Sequence, residues 1–254
     1  METKAVARTI WIGLPAYNEE ATIPALFPRF KEVLGDGPLN YRIVLYNDGC
    51  TDRTVERALE WQDRLPIEVI GKPVNRGLGE GLRCLVAHAV ERGEADDVLF
   101  IMDCDDTHHP RQFAGMLEAL DRGHDVVIAS RYRSGARIAG VAAHRQLLSL
   151  GAATLFKLLH WCAGVRDYTC GFRGYRVALL QRATAHYGAR LIEERGFACM
   201  VELLLKLNRL GAKMCEVPLD LRYDLKQSAS KMDVGGNTTR LLRKLVAWRV
   251  RGLE

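Results

Sequence analysis

Two aspartates one residue apart, Asp103 and Asp105, are the residues in this chain best suited to hold a divalent cation. They follow an apolar run and flank Cys104 in the sequence MDCDD. Hard cations prefer oxygen ligands and can bridge phosphates. Acidic pairs are also common in solvated turns, so this pair indicates a metal site only if other polar groups gather beside it. His108 and His109 lack the i, i+4 spacing of a zinc-binding helix, which disfavours zinc and leaves open whether His108 is a ligand, supports one or is a surface residue.

A third carboxylate, Asp48, follows another apolar run in the sequence LYNDGCTD. A carboxylate at the end of a strand can accept N–H donors of a nucleobase. Asn-Asp-Gly is also a common turn sequence, so a purely structural role stays open. The glycine-rich stretch NRGLGEG (75–81) matches neither the dinucleotide-binding nor the P-loop pattern. We interpret it as glycines that open a helix against a packed surface.

Basic side chains dominate the stretch that comes after the acidic motifs. Between residues 131 and 176 one acid, Asp167, opposes eight basic residues: Arg131, Arg133, Arg137, Arg145, Lys157, Arg166, Arg173 and Arg176. Guanidinium groups bind phosphate through paired hydrogen bonds. The cluster therefore predicts a second ligand that carries phosphate. Nucleic acid is disfavoured as a partner, because interleaved aromatic residues and a groove-reading helix are not evident.

The elements that must position these groups alternate along the first half of the chain. Apolar runs at 9–15, 41–47, 67–71, 97–103 and 125–130 predict strands, and amphipathic stretches at 19–34, 51–64, 77–92 and 110–122 predict helices. This alternation is typical of an α/β fold with a mostly parallel sheet, whose ligands bind beyond the carboxyl ends of the strands. The motifs PAYNEE, NDGCTD, DCDDTHH and SRYRSG each come directly after one of these strands. We expect them to meet at one edge of the sheet.

The second half of the chain is mainly helical and basic. Helical patterns near 143–164, 174–186 and 197–210 precede a strand at 213–223 and a basic amphipathic helix. The net charge of +5 divides into −8 for residues 1–130 and +13 for residues 131–254, which suggests two differently charged ligand surfaces. Gly235–Gly236 is a candidate hinge before the last helix. The interleaved leucine and arginine residues of that helix suit an anionic membrane surface.

Cysteine usage and the N-terminus bear on the compartment. Seven cysteines without a C-x-x-C pair indicate free thiols in a reducing environment. The first fifteen residues lack a secretory signal, and no window reaches 18 consecutive apolar residues. We therefore expect a cytoplasmic protein that lies peripherally on the cytoplasmic face of a membrane, without a transmembrane helix.

An ordered set of motifs carries a family resemblance: PAYNE, NDG-x-TD, NRGLGEG, MDCD-x-x-H, SRY, CGFRGYR, GFACMVE, EVP and SASK. Over about residues 9–232 the chain resembles family 2 glycosyltransferases of the GT-A fold, most of all the polyprenyl-phosphate (dolichol-phosphate) mannosyltransferase branch. The resemblance implies a Rossmann-like α/β fold, with a mostly parallel central sheet flanked by helices and a helical C-terminal extension. Residues 1–221 would form the catalytic domain, with 143–164 as an amphipathic helix on the acceptor or membrane side. Residues 222–254 would form a mobile donor loop and the basic amphipathic C-terminal helix.

The resemblance also implies roles for individual residues. The donor-binding positions are matched by Pro15, Tyr17, Glu19, Asp48, Asp103, Cys104, Asp105 and Lys231, the last on a loop that closes over the donor phosphates. Asp103 and Asp105 match the metal-binding D-x-D, which takes Mg²⁺ or Mn²⁺. Arg131 and Arg145 match the arginines that hold the acceptor phosphate, and with Asp105 they are the catalytic candidates. Thr107 stands where relatives often have glutamine, so a metal role for it stays open.

The implied reaction is a metal-dependent, inverting transfer of a hexose, with mannose favoured, from a nucleotide-diphosphate sugar to a polyprenyl (dolichyl-type) phosphate. GDP-mannose is the favoured donor, a UDP-sugar is the alternative, and a small membrane partner subunit is a further candidate. A phosphate monoester carries about −1.5 to −2 charges at neutral pH, so it can attack without a protein base. Two alternatives stay open. One is a hydroxyl acceptor with Glu202 as the base; the other is a non-catalytic nucleotide-binding subunit.

Overall fold

The computed structural model describes residues 8–35, 37–141, 151, 154–225 and 234–253. The strands are β1 Thr9–Ala16, β2 Asn40–Asp48, β3 Ile67–Lys72, β4 Val98–Ile101, β5 Val126–Ser130, β6 Arg137–Ala139, β7 Arg173–Arg176, β8 Met214–Pro218 and β9 Asp220–Arg222. The helices are α1 Ile23–Leu34, α2 Thr54–Leu59, α3 Leu78–Arg92, α4 Gln112–Asp121, α5 Val177–Tyr187, α6 Ala198–Arg209 and α7 Val234–Arg251. Residues 154–159 are also helical, and Gly188–Leu191 and Tyr223–Leu225 form short 3-10 turns.

Seven of the strands in the described ranges form one sheet in the order β3-β2-β1-β4-β7-β5-β8. All neighbouring strands in it run parallel except at β7, which is antiparallel to both β4 and β5. Every residue of β4 and β5 is buried, as expected for strands covered by helices on both faces. The predicted α/β class with a mostly parallel central sheet is therefore confirmed.

The prediction of a helix over 174–186 was wrong at its start, because residues 173–176 form the central antiparallel strand β7. Its first residue, Arg173, is fully buried and donates hydrogen bonds to the carbonyl oxygens of Met200 (2.5 Å) and Tyr168 (2.7 Å). Gly174 faces the ring of Phe100, where a side chain would clash. These contacts come from distant parts of the chain, so a local pattern could not predict them.

The segment 213–223, predicted as one strand, is two strands in two sheets. β8 joins the edge of the main sheet beside β5, whereas β9 pairs with β6 in a small parallel sheet. Leu219 lies between them, and its N–H donates to the carbonyl of Ser130 at 3.0 Å. β9 also reaches the loop after β4, because Leu221 bridges to His108. The change of sheet thus folds the chain over the carboxyl edge of the main sheet.

Helices cover both faces of the sheet. Helix α3 packs against β1, β2 and β4 and contacts α5 and α6, which places these three helices on one face. On the other face, Phe113 of α4 lies between Phe100 of β4 (ring centroids 4.8 Å apart) and Phe30 of α1 (6.3 Å). Burying large aromatic side chains of this kind contributes strongly to core stability.

The C-terminal helix α7 packs onto the rest of the chain. Leu241 and Leu245 are buried, and the carbonyl oxygen of Leu245 lies 2.9 Å from Nε2 of His160. Gly235–Gly236 lie inside the first turn of α7, so they do not form the predicted hinge. None of the helices in the described ranges is both long and apolar enough to cross a membrane.

Candidate active site

The four polar motifs meet at one cavity of about 350 Å³ at the carboxyl edge of the sheet, as predicted. Eight of the predicted site residues line it: Pro15, Tyr17, Glu19, Asp48, Asp103, Cys104, Asp105 and Arg131. Arg145 and Lys231, the other two, lie outside the described residues. The parallel strands bring these groups together although they are up to 116 positions apart in the chain.

Asp103 and Asp105 lie in the loop after β4 and are both partly exposed to the cavity. Oδ1 of Asp105 accepts hydrogen bonds from the Thr107 hydroxyl (2.6 Å) and the Thr107 backbone N–H (3.2 Å). Thr107 therefore orients Asp105. Between the two aspartates, burial raises the pKa of the Cys104 thiol well above its ordinary value, so this lining group is neutral at physiological pH.

His108 is buried beneath the two aspartates. Its ring packs on Phe172 with centroids 5.2 Å apart, and its Nδ1 lies 4.0 Å from Oδ2 of Asp103. That nitrogen has no hydrogen-bond partner among the described residues. The surface position that the sequence left open for His108 is thus excluded.

The donor set of Asp103 and Asp105 suits Mg²⁺ or Mn²⁺. In the described part of the chain, no group of three or more His, Cys, Asp or Glu side chains is arranged to hold a metal ion. Mg²⁺ sites in phosphate-transferring enzymes commonly use one or two carboxylates, with substrate phosphates and water as the other ligands. Two carboxylates open to a cavity fit that pattern, so these residues could hold the cation together with a phosphate-bearing ligand.

Asp48 is buried at the end of β2 and anchors the glycine-rich loop. Its Oδ1 accepts the backbone N–H of Arg76 at 2.7 Å, and its Oδ2 accepts that of Gly77 at 2.9 Å. This is the structural role that the sequence left open. Each carboxylate oxygen has a second lone pair, so nucleobase binding by Asp48 stays a prediction.

Arg131 is held in the cavity wall by a buried carboxylate. Its Nε and Nη2 donate to Oδ2 (2.8 Å) and Oδ1 (2.6 Å) of Asp167, and Nη2 also donates to the Thr169 hydroxyl at 2.6 Å. Burial alone would raise the pKa of Asp167, but the guanidinium and its hydrogen bonds outweigh burial and hold that pKa below its usual value. The pair therefore stays charged at neutral pH. Nε and Nη2 are both used in these contacts, whereas no hydrogen bond of Nη1 is found among the described residues.

Glu202, the candidate base for a hydroxyl acceptor, is not among the residues that line the cavity. It is 2% exposed, and its carboxylate accepts the N–H groups of Glu193 and Glu194 (both 2.9 Å) and Nζ of Lys206 (2.9 Å). The alternative that uses Glu202 as a base is therefore not supported by the structure, because the side chain is committed to a buried structural network.

Much of the rest of the lining was missed from the sequence. The second half of the chain contributes Thr169, Cys170, Gly171, Phe197, Leu219, Leu221 and Tyr223. Gly171 packs against Asp103, where an added Cβ would lie 3.2 Å from a carboxylate oxygen. Cys170, Gly171 and Phe197 belong to the motifs CGFRGYR and GFACMVE, which the family resemblance had already marked without giving them a role. Asp167, which holds Arg131, was visible as the single acid within the arginine-rich stretch.

The glycine-rich loop is held by close backbone packing, which confirms its interpretation. Gly79 opens α3, and its N–H donates to the carbonyl of Arg195 at 2.8 Å, while an added Cβ would overlap the carbonyl oxygen of Glu194. We expect Gly79→Ala to lower the free energy of unfolding by about 1–3 kcal/mol, since the backbone must move. Urea unfolding would measure this.

Gly115 supplies the matched control for that substitution. It lies inside α4, where an added Cβ would meet nothing within 4 Å. Gly115→Ala should leave stability unchanged or raise it by about 0.5–1 kcal/mol, the usual helical preference for alanine. Equal effects of the two substitutions would contradict the packing role of Gly79.

A mostly parallel sheet of this order, with a D-x-D pair at its carboxyl edge, defines the GT-A class of fold. Residues 11–183 match the family model "Glycosyl transferase family 2". The chain belongs to that family.

Two named relatives agree with this assignment, and a solved structure has a similar fold. The chain is 32% identical over 209 residues to "Dolichol-phosphate mannosyltransferase" of Pyrococcus furiosus, covering 81% of this chain and 54% of that protein. It is 28% identical to "Polyprenol monophosphomannose synthase" of Mycolicibacterium smegmatis, covering 96% of this chain and 88% of that protein. Glucosyl-3-phosphoglycerate synthase from Mycobacterium tuberculosis, solved with Mn²⁺, UDP-glucose and phosphoglyceric acid, has a similar fold, with a TM-score of 0.66 at 22% identity over 95% of this chain and 80% of that chain.

Proposed function

We propose that this protein is a metal-dependent, inverting hexosyltransferase that moves a sugar from a nucleotide diphosphate to a polyprenyl phosphate. Mannose from GDP-mannose is the favoured donor group, in keeping with the names of two of the relatives. A UDP-sugar is the second candidate donor, since glucosyl-3-phosphoglycerate synthase, which has a similar fold, was solved with UDP-glucose.

One observation carries the choice of acceptor. Arg131 lines the same cavity as Asp103 and Asp105, whereas Glu202 is buried in a separate network. A phosphate acceptor needs a cation to hold it and no general base, because it is already an anion at neutral pH. A hydroxyl acceptor needs a base, and the residue proposed for that role does not reach the cavity. The presence of both the acidic pair and Arg131 also argues against a non-catalytic subunit.

Different side chains at the cavity would bind the two anions of the reaction, the nucleotide diphosphate and the acceptor phosphate. A divalent cation held by Asp103 and Asp105 would neutralise charge on the leaving nucleotide diphosphate. Asp167 and Thr169 fix the guanidinium of Arg131, so that it positions the attacking phosphate oxygen with little reorganisation. Attack on the anomeric carbon from the face opposite the leaving group would invert its configuration.

The test is a transfer assay with purified protein. GDP-mannose, UDP-glucose and UDP-N-acetylglucosamine would each be incubated with a short polyprenyl phosphate and Mg²⁺ or Mn²⁺, with parallel reactions in EDTA. We expect a glycosylated lipid phosphate that depends on metal, and NMR of the product should show inversion. Transfer to a saccharide hydroxyl, with none to the lipid phosphate, would refute the proposal.

We also propose that an exposed apolar patch rests on an anionic membrane. The patch combines two pairs of side chains that are 54–78% exposed: Leu158 with Trp161, and Val246 with Val250 of α7. The two segments meet where Nε2 of His160 lies 2.9 Å from the carbonyl oxygen of Leu245. Arg243 and Arg249 are exposed on the same turns of α7, and Lys157 lies over the Trp161 ring at 4.9 Å. Apolar side chains set among cations suit a surface of anionic lipid, where a polyprenyl phosphate would be presented. A location on the cytoplasmic face stays part of this proposal.

Vesicle flotation would test the patch. Leu158→Glu/Trp161→Glu and Val246→Glu/Val250→Glu should each lower binding to phosphatidylglycerol-containing vesicles about tenfold, because each pair removes two apolar side chains that the lipid would otherwise bury. Leu39→Glu, a similar change at an exposed leucine outside the patch, is the control. Equal recovery of all variants would count against the patch. Binding by the unmodified chain on its own would show that no membrane partner subunit is required.

A further inference from the structure

Two buried glutamates, Glu202 and Glu216, hold loops on different walls of the cavity without lining it. In each, one carboxylate oxygen accepts two consecutive backbone N–H groups. Oε2 of Glu202 accepts those of residues 193 and 194, both at 2.9 Å. Oε1 of Glu216 accepts those of residues 166 and 167, both at 2.6 Å. Charged hydrogen bonds of this kind are roughly twice as strong as neutral ones, so each carboxylate fixes its loop firmly.

The loop held by Glu202 supports the glycine-rich wall, residues 77–81. The carbonyl of Arg195 accepts the N–H of Gly79 at 2.8 Å, and Gly77 and Gly79 pack directly on the backbone of residues 194–195. The other side of this wall is tied to Asp48 through the Gly77 N–H. The glycine-rich wall is thus clamped between the predicted nucleoside-binding carboxylate and the loop that Glu202 holds.

The loop held by Glu216 supports the arginine wall, which is Arg131 with residues 167–169. Asp167, whose N–H Glu216 accepts, holds the guanidinium of Arg131 through two hydrogen bonds. Its carboxylate also accepts the backbone N–H of Arg131 at 3.0 Å. A shift of residues 166–167 would therefore move the guanidinium directly.

We propose that Glu202 and Glu216 are positioning residues with separate duties: Glu202 sets the donor wall, and Glu216 sets the acceptor arginine. The assignment of one wall to the donor and the other to the acceptor rests on the proposed function. The two duties are separate because, in the described part of the chain, the two carboxylates share no hydrogen-bond partner. The buried Arg173, which donates to the carbonyls of Tyr168 and Met200, joins the two regions only through backbone oxygens. Misplacing a binding group by about 1 Å can cost on the order of 100-fold in rate, so loop supports of this kind matter to catalysis.

The role of Glu202 at the donor wall, the donor half of the proposal, is tested in variants that also lack the positive charge of Lys206. Lys206 is 1% exposed and pairs with Glu202 at 2.9 Å, so removing the glutamate alone would leave this buried ammonium with the half-exposed carboxylate of Glu193, at 3.3 Å, as its remaining ion-pair partner among the described residues. Lys206→Met is therefore combined with Glu202→Gln or with Glu202→Met. The two double variants are similar in volume and differ in whether the N–H groups of residues 193 and 194 keep an acceptor.

Calorimetry with GDP and with UDP, each in the presence of Mg²⁺, would measure nucleotide affinity and so test the donor half without any acceptor. We expect the Glu202→Met double variant to bind the nucleotide about tenfold more weakly than the Glu202→Gln double variant, with the KM for lipid phosphate unchanged between them. The Glu202→Gln double variant should keep a kcat near the wild-type value. A collapse of its kcat at unchanged nucleotide affinity would restore the base role and overturn the proposal.

Glu216→Gln and Glu216→Met provide the matching pair for the acceptor half. We expect Glu216→Met to raise the KM for polyprenyl phosphate about tenfold relative to Glu216→Gln, with nucleotide affinity unchanged. If both ligands weaken together within either pair, or neither does, the proposed separation is wrong. If wild-type protein does not use lipid phosphate, the proposed function fails and the acceptor half fails with it. The nucleotide measurement still decides the donor half.

Discussion

Asp105→Asn is expected to lower kcat for sugar transfer by about 10²- to 10³-fold, the usual loss when one preorganised electrostatic contact to a transition state is removed. The substitution keeps the shape of the side chain and removes one of the two carboxylate charges that would hold the cation. The Thr107 hydroxyl, 2.6 Å from Oδ1, can still donate to the amide oxygen. The loss would therefore report charge rather than misfolding. Steady-state assays at saturating Mg²⁺ measure it.

Two further variants make that experiment specific. Thr107→Val keeps the carboxylate and removes its hydroxyl donor, so we expect a smaller loss of about tenfold. Asp96→Asn changes an exposed aspartate in the turn that precedes β4, at the opposite end of that strand from Asp105, and should leave kcat unchanged. In a thermal-shift assay, Mg²⁺ should add to the stabilisation by nucleotide in wild type but not in Asp105→Asn. Retention of more than a tenth of wild-type activity would argue against the metal role of Asp105.

The first half of the fold could be predicted because its determinants are local. Strands such as β1 and β5 are continuous apolar runs, and a parallel arrangement places the loops after these strands at one edge of the sheet. This is why Asp48, Asp103 and Arg131 could be assigned to one site from the sequence alone. Strand β7 is different, because Gly174 and Arg173 fit the sheet only through distant contacts with Phe100 and Met200.

The roles of the buried charged residues near the site could not be predicted from the sequence. Glu202 is an isolated acid in an apolar helix, a pattern that a catalytic base and a buried loop support share. The structure distinguishes these two roles because Lys206 and the N–H groups of residues 193 and 194 lie within hydrogen-bond distance of Glu202. Their positions depend on tertiary packing, which the sequence does not reveal. Asp167 was visible as an exception in a basic stretch. Its role as the carboxylate that holds Arg131 could be assigned only from the 2.6 Å hydrogen bond between the two side chains.

Arg131→Lys is expected to raise the KM for polyprenyl phosphate about tenfold and to lower kcat, with donor KM close to wild type. Lysine keeps the charge but cannot donate to both oxygens of Asp167 and to a ligand in one plane, as the guanidinium does. A tenfold change corresponds to about 1.4 kcal/mol, close to the lower end of the range for one charged hydrogen bond, about 1.5–3 kcal/mol. Initial rates across a lipid-phosphate titration would separate the two kinetic constants.

Arg131→Ala is a poorer test of the acceptor role, because it leaves Asp167 charged, fully buried and unpaired, which costs about 3–5 kcal/mol of stability. Arg131→Met combined with Asp167→Asn removes both charges and should fold while losing most acceptor affinity. Arg133→Lys is the matched control, since Arg133 is exposed two residues away and is not among the residues that line the cavity. If Arg131→Lys and the double variant both keep wild-type acceptor kinetics, then the phosphate is held elsewhere, and the charge of Arg131 serves only to neutralise Asp167.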